Sequence, residues 1–150
     1  MKVLFLCSSN VFRSQIAEAY FNFYSKKHKA QSAALIKPQD KMHKLVVRAM
    51  HENGINIKEN KSKKVTKEML QNADVIILMN SELNEYVENL KKHFKPNVKI
   101  ETWNIPDVIA KETDEHLYPE FVKARDIIKK KVKELVKRLD KGFNIEKLNI

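Results

Sequence analysis

Apolar residues along this chain fall alternately into short unbroken runs and helical stripes. Val3–Leu6 is a continuous apolar run, the pattern of a central strand buried on both faces. After the polar stretch Ser8–Asn10, residues Ile16, Ala17, Tyr20, Phe23 and Tyr24 recur at helical spacing. They predict a helix from Arg13 to about His28. A short strand is expected around Ala30–Ala34, then a turn near Pro38. Asp40 is the expected N-cap of a helix carrying Met42, Leu45, Val46, Ala49 and Met50, stopped at Gly54.

Thr66 is placed to cap a short helical turn before a second buried strand at Val75–Met79. Ser81 is expected to cap a helix through Leu83, Tyr86, Val87 and Leu90, and Val98–Trp103 alternates as a more exposed strand. Asn104 to Tyr118 lacks periodicity and reads as a functional loop. Pro119 opens a last helix with Phe121, Ile128, Val132, Leu135 and Leu139 on its apolar face and lysines opposite. Asn144–Ile150 reads as a loosely held tail. Strands alternating with helices imply βαβ units and a parallel sheet with right-handed crossovers. No repeat or linker divides the 150 residues, so one α/β domain over 1–150 is expected.

Composition narrows the function classes. The apolar content is ordinary for a globular chain, and no run is long enough to span a membrane. Val3–Cys7 is too short for a signal-peptide core. A lone cysteine excludes an internal disulfide and leaves no zinc-site spacing, which suits a reducing, cytoplasmic setting. The net charge of +10 comes mostly from lysine; it favours anionic partners, although a solvated lysine surface accounts for it as well. The basic stretches lack interleaved aromatics, which argues against a nucleic-acid partner. His28, His43, His51, His93 and His116 form no metal-like pair and are expected on the surface, as are Lys129–Lys133.

The stretch Cys7-Ser8-Ser9-Asn10-Val11-Phe12-Arg13-Ser14 carries the chemistry. A cysteine at a strand end, a short loop and an arginine at a helix start have a physical logic. Ligands of parallel sheets bind beyond the carboxyl ends of the strands. A loop there can curl its N–H groups inward as an anion nest, and the helix N-terminus adds positive potential. Arg13 offers a planar fork to two phosphate oxygens. Positive surroundings favour the thiolate, the nucleophilic form of cysteine. Ser14 can donate to that thiolate, and Asn10 can brace the loop. The competing reading, a buried core cysteine beside a decorative arginine, leaves the strand-loop-helix setting without a purpose.

These residues, continued by Gln15-Ile16-Ala17-Glu18-Ala19, resemble the low-molecular-weight protein tyrosine phosphatases, whose pattern is Cys-x-Gly-Asn-x-Cys-Arg-Ser-Pro-x-Ala-Glu. The likeness extends over nearly the whole chain, through Ser32-Ala33-Ala34, Lys63–Glu68 and Trp103–Asp107. It implies a three-layer α/β/α fold on a four-stranded parallel sheet, a phosphocysteine intermediate, and neither metal nor cofactor. It also implies phosphate binding by Ser8 to Ser14. Departures are Ser9 for the loop glycine, Phe12 for a second loop cysteine and Gln15 for a proline. Pro106-Asp107 inverts the family's Asp-Pro, and Val108-Ile109 replaces a tyrosine pair. Leu35-Ile36-Lys37-Pro38 lacks the aromatic that often walls the pocket, and Asn60 and Asn80 stand where many relatives have histidine and aspartate.

A phosphotyrosine leaving group, with a pKa near ~10, needs a proton. The other aspartates fall on a cap, a strand start or the last helix, which leaves Asp107 and Asp114. Asp107 is the expected acid from its proline neighbour, its place just after the fourth strand and the family resemblance, with Asp114 in reserve. The expected substrate is a phosphorylated protein or small aryl phosphate, with inorganic phosphate or a similar oxyanion as loop ligand. Two alternatives use the same loop. One is arsenate reduction coupled to an external thiol or glutaredoxin, since the chain has no further cysteine. The other is a non-catalytic phosphoanion-binding module.

Overall fold

The structure, a computed structural model, describes residues 1–141. The expected tail at Asn144–Ile150 lies outside the described residues. Four strands form one parallel sheet: β1 (Lys2–Cys7), β2 (Lys29–Ala34), β3 (Val75–Leu78) and β4 (Lys99–Thr102), in the order β2-β1-β3-β4. The unbroken apolar run of β1 is explained by its central place. It pairs from Lys2↔Lys29 to Cys7↔Ala34 on one side and from Val3↔Val75 to Leu6↔Leu78 on the other. The exposed β4 lies at the edge.

Successive side chains of β1 point to opposite faces. Val3, Phe5 and Cys7 join a core with α1 (Arg13–Tyr24), α2 (Lys44–His51) and α5 (Tyr118–Asp140). Leu4 and Leu6 join a second core with α3 (Lys67–Asn72) and α4 (Asn84–Glu88). The result is the three-layer α/β/α arrangement. The chain leaves β1 in one direction toward β2 and returns past it to β3, so the sheet's topological switch point lies beyond Cys7. Open α/β sheets place their ligands there. No helix among the described residues is long and apolar enough to cross a membrane.

Several expected boundaries move, each for a local reason. Helix α1 ends at Tyr24 rather than near His28 because Ser25 turns out of the helix and its hydroxyl accepts the His28 amide at 3.1 Å. Asp40 is not a cap. Residues 40–41 bend, and His43 caps α2 by accepting the Leu45 amide at 3.1 Å. Thr66 caps α3 as expected, through Met69 N–H at 3.2 Å. The helix expected from Ser81 to Leu90 is broken into a 3-10 turn at Ser81–Leu83 and the short α4, with no side-chain cap at its start. Helix α5 buries Ala124 and Arg125 beside the expected apolar face; Arg125 is satisfied by the Ala49 carbonyl at 2.9 Å and Glu52 at 3.1 Å. Its lysines are not merely solvated, since Lys133 Nζ lies 5.1 Å from the ring centre of Tyr24.

Candidate active site

Strand β1 ends at Cys7 and α1 begins at Arg13, so the loop between them must reverse direction within a few residues. The reversal is made at Asn10, whose φ of 59° is left-handed. Asparagine tolerates that region better than most residues. Ser9, standing for the family's glycine, has no positive φ, so its side chain introduces no strain of that kind.

Outside groups draw the loop carbonyls outward. Cys7 O accepts from Leu35 N–H at 2.9 Å, and Ser8 O from Ile36 and Lys37 N–H at 3.1 and 3.2 Å. Ser9 O accepts from the Ser62 hydroxyl at 2.6 Å. In a planar trans peptide the next N–H points opposite to each carbonyl. The amides of Ser8, Ser9 and Asn10 therefore face the concave side, where Asn10 N–H meets Cys7 Sγ at 3.3 Å. Helix α1 begins without a side-chain cap and without an acid in its first turn. Its N-terminal amides remain available to an anion.

Asn10, fully buried, is the hub beneath this loop. Its amide nitrogen donates to Ser14 Oγ at 2.8 Å and Ser32 Oγ at 2.9 Å. Its carbonyl accepts from Gln15 Nε2 and Lys63 N–H, both at 3.1 Å. All four side-chain bonding positions of Asn10 are thus used. Gln15, in place of the family's proline, also donates to Lys61 O at 3.3 Å and accepts from Asn60 Nδ2 at 3.2 Å. Asn60 therefore ties a neighbouring loop to α1. At the end of the network, Ser32 donates to Glu18, 3.3 Å away; burial pushes the Glu18 carboxyl up, against the opposing pull of Lys63 and Ser32.

Cys7, Ser8, Ser9, Asn10, Val11, Phe12 and Arg13 line one cavity of about 230 Å³ together with Asp107. Ser14 lies behind it, with its hydroxyl 2.8 Å from Cys7 Sγ. The Arg13 guanidinium is buried and donates to Ile105 O at 3.0 Å; its other terminal nitrogen stands 3.7 Å from Asp107. Trp103 and Ile105 are buried, and Ile105 N–H is held by Met79 O at 3.0 Å. Asp107 follows that anchor with its side chain half-exposed. Asp114 is occupied elsewhere, accepting the Lys111 amide at 2.8 Å in a turn outside the cavity. His116 is exposed and does not line it.

The cavity also has walls that the sequence reading did not assign: Gln39, His43 and Phe121. His43 was expected on the surface. It is instead partly buried, with Nε2 3.0 Å from the carbonyl of Ala110. Helical periodicity marks Phe121 only as core, and no pattern local to either residue signals the meeting. A hint for Phe121 lay in Phe12, whose bulk needs a neighbour; their ring centres are 4.9 Å apart.

Comparisons with known proteins bear on the family and the fold. Residues 2–144 match the model of the low molecular weight phosphotyrosine protein phosphatase family. The arsenate reductase of Bacillus licheniformis is 31% identical over 135 residues, covering 87% of this chain and 91% of its own. The YwlE arginine phosphatase from Geobacillus stearothermophilus has the same fold, with a TM-score of 0.80, 20% identity and 94% of each chain covered. So does the low molecular weight protein tyrosine phosphatase from T. tengcongensis, with a TM-score of 0.76, 24% identity, and 92% of this chain and 99% of that one covered. With its sequence matched almost end to end, this chain belongs to the low molecular weight phosphotyrosine protein phosphatase family.

Proposed function

We propose that this protein hydrolyses phosphate monoesters, aryl phosphates or phosphotyrosine on a protein, through a phosphocysteine formed on Cys7. The observation that supports this most is the placement of Cys7 Sγ at the floor of an inward-facing amide loop, 2.8 Å from the Ser14 hydroxyl. The Cys7 thiolate attacks phosphorus in line and the ester P–O bond breaks. The loop amides and Arg13 stabilise the equatorial oxygens as charge develops. Asp107 gives its proton to the departing oxygen, then takes one from the water that cleaves phosphocysteine and releases inorganic phosphate. A single free thiol as nucleophile suits a reducing, cytoplasmic setting.

The test is hydrolysis of an aryl phosphate and a phosphotyrosine peptide by wild type and Cys7→Ser, with a chelator present. Chelator-resistant turnover that disappears in the variant is expected. Turnover that persists in Cys7→Ser would overturn the proposal.

The curated relatives favour a second reading, arsenate reduction, since the Bacillus licheniformis protein carries that name. Cys7 would displace water from arsenate to form a thiolate–arsenic(V) bond. An external thiol would then attack Cys7 sulfur, leaving a mixed disulfide and arsenite, and a second thiol would restore Cys7. Cys7 is the chain's only cysteine, so this route requires a thiol partner. Arsenate-dependent oxidation of glutathione with glutaredoxin would support it, and none with any thiol system would remove it.

A further inference from the structure

One wall of the cavity joins the phosphate loop to the loop that carries Asp107. His43 Nδ1 is 3.1 Å from the Leu45 amide and Nε2 is 3.0 Å from the Ala110 carbonyl. An amide N–H can only donate and a carbonyl can only accept. Both contacts are satisfied by a single form of the ring, neutral with its hydrogen on Nε2. The ring also packs on Phe121 at 4.9 Å, and Phe121 meets Phe12 edge-on at 4.9 Å. Phe12 directly precedes Arg13 in the phosphate loop.

The span around Asp107 has few other anchors. On its N-terminal side, Ile105 is buried and bonded to Met79 and Arg13. On its C-terminal side, Val108 N–H turns back to Asp107 Oδ1 at 2.9 Å, and Ile109 is 92% exposed. Val108 and Ala110 pack their side chains against the core, and the next hydrogen bond to the body of the protein is the one His43 donates to the Ala110 carbonyl.

We propose that His43 is a positioning residue for the acid: by holding Ala110 it fixes the far end of the Pro106–Ala110 span and keeps Asp107 facing the cavity. The kinetic consequence rests on the phosphatase reading; the anchoring itself does not. Histidine suits the task because a single rigid ring caps α2 with one nitrogen and reaches across to the loop with the other. Asparagine is also a good N-cap, but its side chain is too short to do both.

His43→Asn therefore separates the two roles. Hydrogen exchange is expected to rise roughly tenfold or more at the hydrogen-bonded Val108 and Lys111 amides while those of α2 stay protected, since local opening reports the loss of local ties. Turnover of phenyl phosphate, whose leaving group needs a proton, should fall roughly tenfold. An activated aryl phosphate should lose less than about twofold. In an Asp107→Asn background the same substitution should add little, because the two act as a unit. Unchanged exchange at the Val108 and Lys111 amides would overturn the proposal even if the wild type hydrolyses nothing. So would equal losses on both substrates, or a full additional loss on top of Asp107→Asn.

Discussion

The hydroxyl of Ser14 lies 2.8 Å from Cys7 Sγ, and Asn10 decides which way its hydrogen points. Asn10 Nδ2 can only donate to Ser14 Oγ, so the serine's own hydrogen is left for the sulfur. A hydrogen bond to a charged acceptor is worth more than a neutral one. Ser14→Ala should lower turnover by roughly ten- to a hundredfold. The loss should be seen in the rate of phosphocysteine formation in single-turnover experiments, with folding intact. An unchanged rate would mean that the hydroxyl serves packing alone.

Asp107 stands beside Arg13 at the cavity, while Asp114 is spent in a turn. Asp107→Asn should cost roughly 10²–10⁴ in turnover on a poor leaving group and far less on an activated one. Asp114→Asn should change neither. A leaving-group-independent loss in Asp107→Asn would reject it as the acid.

Asn10 combines a left-handed backbone with four side-chain hydrogen bonds inside the fold. Asn10→Ala strands several buried partners and adds backbone strain, so the expected loss is about 3 kcal/mol in urea unfolding. Asn10→Gly relieves only the strain and should lose slightly less. Two variants as stable as wild type would show that the loop is held by its carbonyl contacts alone.

Glu101 tests pH linkage away from the site. Burial pulls its carboxyl up, but bonds from Arg138 at 2.7 and 3.1 Å and from Trp103 at 3.1 Å outweigh this and hold it below the ordinary glutamate value of 4.5. A depressed folded-state value means stability that is present above that range and lost as pH falls through it. The side chains are 42% and 32% exposed, so screening limits the pair to about 1 kcal/mol. Glu101→Gln should be destabilised by about that much at pH 7, and the difference from wild type should shrink as pH falls below the ordinary glutamate range, by urea unfolding. A difference that persists undiminished at low pH would mean the effect is packing.

Much of this protein was legible in its sequence because the signals are local. An unbroken apolar run marks β1, and helical spacing marks α1 and α5. Cys7, Arg13 and Ser14 lie close along the chain, and backbone geometry carries them to one loop. Chain continuity also placed Asp107 just beyond a strand end. Other features depended on which distant segments meet. Asp40 looked like the cap of α2, but His43 caps it, because the same ring also finds Ala110, 67 residues away. The network around Asn10 draws on Ser32 and Lys63, and the cavity wall on Phe121. Periodicity and capping depend on neighbours within a turn or two of chain. Hydrogen bonds and ring contacts between remote segments are selected by packing, and only the tertiary structure decided those.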